Sequence, residues 1–302
     1  MDSRLLCEIT EEHLRSYDED GVVVVRGAIS MEWVERMRDA MDRVLDQPGP
    51  LGSDLNPAGT EGRFAFETFV ASHDADFRAL AHDSPLAEIA ARITRSRTTH
   101  FLYDFFFAKE PHSPHATVWH QDQPSVCCHG TQVTGTWMPL DVVTYDSGAV
   151  EYIKGSHKWN RWFDYGVTED HSDAETELNY RPLPGGGGGD PAQFGEVFEP
   201  QPDFEVDRDQ YDIISFDTEP GDVVINSLLI MHGAKGNFTD RRRRAVGGRW
   251  AGDDATFARR KGELNVVIPF EVDLQDGDRF PPDHPQFPQV WPKAGAEARA
   301  SA

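Results

Sequence analysis

Residues 117–124 read Thr-Val-Trp-His-Gln-Asp-Gln-Pro, and they set His120 and Asp122 two positions apart. In a β-strand, positions i and i+2 project from the same face, so one short strand can present an imidazole beside a carboxylate. A second imidazole is available far downstream, at His232. Two histidines and one carboxylate, with open coordination positions opposite, suit a ferrous ion in an oxygen-activating enzyme. We therefore predict a metal site at His120, Asp122 and His232.

A His-x-Asp tripeptide is a weak signal by itself, because short motifs arise by chance. The neighbouring sequence strengthens it. Segments 101–109, 131–140 and 148–153 are rich in aromatic or β-branched residues and predict short strands on both sides of the motif. A run of strands would hold the metal ligands rigidly.

The downstream half of the site lies in two further segments. Residues 221–233 begin with a Gly-Asp turn signal and continue as an apolar strand that His232 would close. In the next predicted strand, residues 241–250, alternation sends Arg243 and Arg249 to one face with small residues between them. The small residues would leave room for a ligand, and a guanidinium there can bind a carboxylate through two parallel hydrogen bonds. A solvated basic run is the ordinary alternative for these arginines.

The order of these motifs resembles the phytanoyl-CoA dioxygenase family, which comprises Fe(II)- and 2-oxoglutarate-dependent oxygenases. The segments that carry the resemblance are 17–27, 119–123, 148–158 and 249–254. The resemblance implies a mainly β fold with flanking α-helices, a double-stranded β-helix of the jelly-roll, cupin-like type. It also implies an enzyme that uses Fe(II), 2-oxoglutarate and O2 to oxidise, and most simply to hydroxylate, a small organic molecule, releasing succinate and CO2.

The resemblance also implies roles for individual residues. The iron ligands are again His120, Asp122 and His232, and the arginine that binds 2-oxoglutarate is Arg243, eleven residues beyond the last ligand. Positions expected to line the cosubstrate are Trp137, Thr117 and Leu102, and those expected to touch substrate are Gln121 and Gln123. The chain departs from the family at Ala234, where relatives commonly carry a serine, which removes one hydrogen bond worth about 0.5–1.5 kcal/mol.

Three alternatives stay open at this point. Two histidines and a carboxylate also suit catalytic zinc, so a zinc hydrolase fits the ligand set, although it would not explain an inward arginine. An Fe(II) oxygenase that does not use 2-oxoglutarate fits as well. The third is a non-catalytic jelly-roll binding protein.

Length and pattern favour one domain over residues 1–302. Its parts are N-terminal helices at about 9–96, a β-helix core at about 100–270, a Gly-rich insertion at about 160–210 and a C-terminal arm at 279–302. The predicted helices are 9–17, 30–46, 74–82 and 84–95, with Ser30 as an N-cap. The five glycines at 185–189 predict a flexible loop, either a lid or an ordinary linker.

The formal net charge is −23, which repels polyanions and argues against a nucleic-acid partner. The same charge weakly disfavours a coenzyme A thioester, and the basic run at 241–244 acts against this locally, so the namesake substrate of the family is not assigned to this chain. There is no stretch of about 20 apolar residues and no basic-then-hydrophobic N-terminus, so neither a membrane span nor a secretory signal is expected. Three cysteines are too few for a disulfide framework. We therefore expect a cytoplasmic protein with reduced thiols.

Overall fold

The computed structural model describes residues 4–55, 62–163, 198–260 and 268–293. Its helices confirm the four predicted ones to within three residues at either end. They are α1 (Glu11–Asp20), α2 (Met31–Asp46), α3 (Ala75–Asp83) and α4 (Leu86–Thr94). No helix within these described ranges is both long and apolar enough to cross a membrane.

Helices α1 and α2 begin in different ways. Thr10 caps α1 through its hydroxyl, which accepts a hydrogen bond from the His13 backbone N–H at 3.3 Å. Ser30 does occupy the N-cap position of α2 with extended backbone, but its side chain makes no capping hydrogen bond. The prediction for Ser30 is therefore right in position and wrong in mechanism.

The strands are short, and most of them follow residue 99. They are β1 (Val22–Val25), β2 (Ser53–Asp54), β3 (Phe64–Thr68), β4 (Thr99–Lys109), β5 (Thr117–His120), β6 (Cys128–His129), β7 (Val133–Pro139), β8 (Val150–Ile153), β9 (Trp162–Phe163), β10 (Phe198–Glu199), β11 (Ile213–Ser215), β12 (Val223–Ser227), β13 (His232–Ala234), β14 (Arg243–Ala251), β15 (Thr256–Phe257) and β16 (Gln289–Trp291). The N-terminal region is not purely helical, because β1 and β3 both join the larger sheet.

Two antiparallel sheets form the body of the fold. The larger sheet has the order β1-β12-β7-β14-β4-β3-β2, with β16 also paired to β4. The smaller sheet has the order β11-β8-β13-β5. Strands that follow one another in sequence, such as β12 and β13, lie in different sheets, as a jelly roll requires. The predicted fold, mainly β with flanking helices, is confirmed.

The larger sheet is buried on both faces. In β1, Val23 and Val25 join an outer cluster with Trp33 and Met37 of α2, whereas Val22 and Val24 belong to an inner cluster. This alternation follows from the two-residue period of a strand. The inner cluster also contains side chains of the smaller sheet, so the inner core lies between the two sheets.

The predicted strand at 221–233 is two strands. Strand β12 ends at Ser227, the chain turns through a backbone hydrogen bond from Ile230 N–H to the Ser227 carbonyl, and His232 begins β13 in the other sheet. Leu228, Ile230 and Met231 of the crossing are fully buried, which is why the sequence reads as one continuous apolar run. His232 therefore opens a strand of the smaller sheet and does not close a strand of the larger one.

The C-terminal arm packs Phe280 and Phe287 on the inner cluster. Phe280 is 7% exposed and Phe287 is fully buried, and β16 extends the larger sheet. The glycine run at 185–189 and the tail after Lys293 lie outside the described residues.

Candidate metal centre

The two candidate histidines face each other across neighbouring strands of the smaller sheet. His120 at the end of β5 is the register partner of His232 at the start of β13, and their ring centroids are 4.2 Å apart. Asp122 does not share the strand of His120, contrary to the sequence prediction. Its backbone is helical, with φ −77° and ψ −42°, because the strand ends at His120 and a 3-10 turn containing Pro124 follows.

The hydrogen bonds of the two rings show which nitrogen of each ring carries the proton. His120 Nδ1–H donates to the Val118 carbonyl at 2.8 Å, and His232 Nδ1–H donates to the Ile230 carbonyl at 3.1 Å. This tautomer leaves an unprotonated Nε2 on each ring. The two Nε2 atoms lie 3.6 and 3.8 Å from the Asp122 carboxylate oxygens.

The ligand atoms of these three residues all lie within 4.8 Å of one another. Two imidazole nitrogens and one carboxylate oxygen therefore converge on one point. The Nδ1 atom of each ring is held by a backbone carbonyl, which fixes the orientation of the ring. The His120 and His232 side chains are each 12% exposed and that of Asp122 is 9% exposed, so the point is shielded yet reachable. The donor set fits a divalent iron ion.

A buried arginine holds the carboxylate. Arg249 Nη2 is 2.8 Å from Asp122 Oδ2, and the guanidinium lies 4.4 Å from the centroid of the Phe105 ring. Burial alone would raise the pKa of Asp122, but the adjacent charge of Arg249 holds it well below its usual range. Burial and His120 lower the pKa of His232 to about 4. At neutral pH the aspartate is thus charged and His232 is neutral, which are the states that bind a metal.

A cavity between the two sheets opens directly from the three residues. Arg243, Trp137 and Thr117 line it together with His120, Asp122 and His232, so six of the predicted site residues share one wall. Arg243 is 2% exposed, and its Nη2 donates to the Gly148 carbonyl at 2.9 Å. Burial lowers the pKa of Arg243 to about 10, which leaves it charged at neutral pH.

The small residues of β14 were predicted to leave room for a ligand, and this prediction is wrong. A Cβ at Gly247 would lie 2.4 Å from the Phe105 ring and 2.3 Å from the Thr136 carbonyl oxygen. The glycine therefore accommodates the aromatic side chain of the neighbouring strand, and that side chain lines the cavity. Arg243 and Arg249 do share the cavity face, as alternation predicted.

Leu102 is placed elsewhere. A β-bulge makes Tyr103 and Phe101 the partners of Arg249 and Trp250, so Leu102 between them has no register partner on β14. Leu102 is 1% exposed, belongs to the inner cluster and is not among the residues that line the cavity. A strand-like sequence does not reveal a bulge, so the alternation of residues along β4 could not predict which face Leu102 occupies.

Gln121 and Gln123 are buried, and neither lines the cavity. The Gln121 amide donates to the carbonyls of Arg161 at 3.1 Å and Leu229 at 2.9 Å, and its oxygen accepts from Phe163 N–H at 3.1 Å. Gln123 donates to the Gly130 carbonyl at 2.9 Å. These amides hold loops together beside the ligands, and the donors of Gln121 are used by backbone carbonyls.

Sequence reasoning gave no role to two residues that the structure brings to the site. Tyr152 on β8 pairs with His232 in register and stacks on its ring, with centroids 5.8 Å apart and planes at 23°. Lys109, the last residue of β4, is fully buried beside Arg243. Alternation with Phe105 and Phe107 could have assigned Lys109 to the inner face, but its charge suggests an exposed strand end.

Comparisons with known proteins agree with this geometry. The family model described as phytanoyl-CoA dioxygenase (PhyH) matches residues 17–245. Similar solved structures include the non-heme alpha ketoglutarate dependent carbocyclase SnoK from nogalamycin biosynthesis, with 20% identity, a TM-score of 0.67, and coverage of 94% of this chain and 97% of that one. A search of the curated proteins gave no significant match.

Two further similar structures contain ligands. The epimerase SnoN in complex with Fe3+, alpha ketoglutarate and nogalamycin RO has 17% identity and a TM-score of 0.68, covering 93% of this chain and 98% of that one. EctD from S. alaskensis with 2-oxoglutarate and 5-hydroxyectoine has 16% identity and a TM-score of 0.60, covering 93% and 90%. At these identities, the likeness extends to the fold.

Proposed function

Because the chain belongs to the phytanoyl-CoA dioxygenase family, we propose that His120, Asp122 and His232 hold the iron and that Arg243 binds the cosubstrate. Enzymes of this family are Fe(II)- and 2-oxoglutarate-dependent dioxygenases, and this chain is one of them, an oxidoreductase that uses Fe(II), 2-oxoglutarate and O2. The observation that carries the residue assignment is the convergence of two unprotonated Nε2 atoms and one charged carboxylate in the cavity that also contains Arg243.

The bound iron and 2-oxoglutarate supply the oxidising power that places one oxygen atom of O2 in the substrate and the other in succinate, with loss of CO2. The protein residues prepare the site for that chemistry. Asp122 brings one negative charge to the metal position, and Arg249 fixes its orientation. Arg243 offers a buried positive charge for the far carboxylate of 2-oxoglutarate. Trp137, whose ring centroid is 5.7 Å from the Arg243 guanidinium carbon, covers that contact and shields it from water.

The rest of the cavity wall indicates the kind of substrate. Phe66 and Phe107 stack with centroids 4.9 Å apart, and Phe64, Phe105 and Tyr103 extend this aromatic wall. Among the described residues, the charged side chains that line the cavity are those of Asp122, Arg243 and Arg249, which already have roles. The proposed substrate is therefore a small molecule that buries an uncharged, largely apolar part, and hydroxylation is the proposed outcome. The 5-hydroxyectoine bound to EctD and the nogalamycin RO bound to SnoN are small molecules on the same fold.

Succinate formation tests the assignment of residues. Protein loaded anaerobically with Fe(II) and then given 2-oxoglutarate and air should release succinate slowly even without substrate. His120→Ala and His232→Ala should each lose iron and succinate formation while keeping the far-ultraviolet circular dichroism of the parent, because each change removes a ligand and little core packing. His129→Ala is a matched control, since His129 is a nearby histidine outside the cavity lining. Unchanged iron content in both ligand variants would refute the assignment.

The proposed location is the cytoplasm. Cys7, Cys127 and Cys128 are free thiols in the structure, and the last two are buried in the inner cluster. Free buried thiols are usual in a reducing compartment. Fractionation of the native host, with detection of the protein by antibody, would test this location.

A further inference from the structure

A histidine lies in the aromatic part of the cavity wall. His115, which precedes β5, is 7% exposed and lines the cavity together with Phe64, Phe66 and Phe107. The centroid of its ring is 5.6 Å from that of Phe64, with the two planes at 56°. His115 is not one of the three residues of the metal centre. Its place in the wall therefore calls for a separate explanation.

This part of the cavity lies between the edges of the two sheets. Strand β5 is at the edge of the smaller sheet, and β3 and β2 end the larger sheet beyond β4. Phe64 and Phe66 on β3 and Val118 on β5 line the cavity at these edges. Trp137 and Arg243 line it from the central strands β7 and β14. The wall around His115 is therefore lateral to the proposed cosubstrate position, where a substrate can lie beside the cosubstrate.

His115 is neutral and offers both kinds of hydrogen-bonding atom. Burial, and to a smaller extent the charge of Lys109, lowers the pKa of His115 to about 4. A neutral imidazole has one N–H donor and one unprotonated nitrogen that accepts. Within the described ranges, neither nitrogen has a hydrogen bond to a protein group. A phenylalanine could fill this wall without polar atoms that need partners, so the imidazole is better suited to a ligand than to packing.

We propose that His115 binds a hydroxyl group of the substrate, and that the apolar body of the same molecule lies against the stacked rings of Phe66 and Phe107. This inference rests on the proposed function and adds the chemical class of the substrate, a largely apolar molecule that carries a hydroxyl group. A hydroxyl both donates and accepts, so it can bond to whichever nitrogen of the neutral ring faces it. A carboxylate only accepts, and the neutral ring brings no charge to compensate it.

The same contact would decide which end of the substrate is oxidised. Phe107, Phe105 and Tyr103 line the cavity from alternate positions of β4. Tyr103 marks the metal end of this wall, because its register partner Arg249 contacts Asp122. Phe107 and Tyr103 are four residues apart, roughly 13 Å along a strand. A hydroxyl held at His115 therefore directs the opposite end of the apolar body towards the metal position.

The test compares two bicyclic probes that differ in one group. 2-Naphthol carries a hydroxyl group, and naphthalene does not. Binding of each probe to the metal-free protein is measured by equilibrium dialysis, with the bound probe quantified by chromatography. The parent should bind 2-naphthol more tightly than naphthalene. His115→Leu should weaken 2-naphthol binding by about three- to tenfold, the value of a neutral hydrogen bond, and should leave naphthalene binding unchanged.

Matched variants separate this role from packing. His115→Gln keeps one donor and one acceptor and should keep most of the preference for 2-naphthol. His112→Leu removes a neighbouring histidine that contacts Asp240 outside the cavity lining, and it should bind both probes as the parent does. All variants should keep the far-ultraviolet circular dichroism of the parent. The Fe(II) form of His115→Leu should bind 2-oxoglutarate with the parent's affinity in an anaerobic titration followed by visible absorption.

The outcomes distinguish the inference from the proposed function. A parent that binds neither probe, or binds both equally, would overturn the hydroxyl contact. Equal weakening of both probes in His115→Leu would leave His115 a packing residue and overturn it as well. Weaker 2-oxoglutarate binding in His115→Leu would assign the ring to the cosubstrate and not to the substrate. Succinate formation by the parent without substrate would persist in each of these cases, so the proposed function is judged separately.

Discussion

Arg249 Nη2 lies 2.8 Å from Asp122 Oδ2, although the two residues are separated by more than 120 positions in the sequence. Their side chains are 10% and 9% exposed, so this is a buried ion pair. It lets a carboxylate stay charged in an apolar cavity before any metal binds. Removing one partner of a buried pair is costly, because an uncompensated charge remains.

Arg249→Met should therefore destabilise the metal-free protein by about 3–5 kcal/mol, as expected when a buried charge loses its partner. Mn(II) should raise the thermal midpoint of this variant more than that of the parent, because the metal takes over the compensation of Asp122 and no longer meets a neighbouring cation. Arg244→Met, which breaks an ion pair with Asp141 instead, should show the parent's response to Mn(II). An equal metal response in all three proteins would show that Arg249 does not act on the metal position.

Arg243→Met should raise the 2-oxoglutarate concentration needed for half-maximal succinate formation by about 10- to 100-fold, the loss of one charge-assisted contact. Iron content should stay as in the parent, because the side chain lies away from the ligands. Arg244→Met is the neighbouring control, since Arg244 binds Asp141 and does not line the cavity. If Arg244→Met raises the requirement and Arg243→Met does not, the assigned face of β14 is wrong.

The affinity for 2-oxoglutarate should depend on pH through Lys109. Burial and the charge of Arg243, its register partner on β14, lower the pKa of Lys109 well below that of an exposed lysine. A bound carboxylate favours the protonated amine, so binding takes up protons and the Kd should rise as pH rises through the lowered pKa.

The pKa values of the neighbouring groups define the window for this measurement. The pKa of Arg243 is about 10 and the pKa of His115 is about 4. Neither group changes its charge much at pH values well inside this range. Calorimetry in buffers of different ionisation enthalpy would count the protons taken up by the anaerobic Fe(II) protein. Lys109→Met should show a flatter profile and less proton uptake; the same profile in both proteins would assign the dependence to another group.

Gln121→Met should lower the free energy of unfolding, and its main effect should not be on substrate turnover. The variant leaves the Arg161 and Leu229 carbonyls and the Phe163 N–H without their amide partner, and each buried unsatisfied group costs about 1–3 kcal/mol. Gln123→Met loses a single bond and should cost less. Urea unfolding monitors both variants. A Gln121→Met protein with parental stability and altered substrate turnover would restore the original prediction of a substrate contact.

Local sequence predicted the parts of this protein that follow from local rules. The four helices follow from their apolar spacing and turn signals. The position of Arg243 and Arg249 on one face of their strand follows from the two-residue period of a strand. The His-x-Asp motif and the downstream His232 predicted three metal ligands, and the structure brings their ligand atoms within 4.8 Å of one another. Their chemistry as donors is a property of the side chains, so the sequence was sufficient to nominate them.

The tertiary structure decided which residues meet across the two sheets. The crossing at 228–231 puts His232 in the smaller sheet, opposite His120, and the bulge beside Leu102 turns that residue into the core. Neither follows from local pattern, because a buried crossing and a buried bulge have the same apolar composition as a regular strand. The charge of Lys109 likewise suggested an exposed position. Only the pairing of distant strands, which depends on how the whole chain packs, brings Arg249 to Asp122 and Lys109 to Arg243.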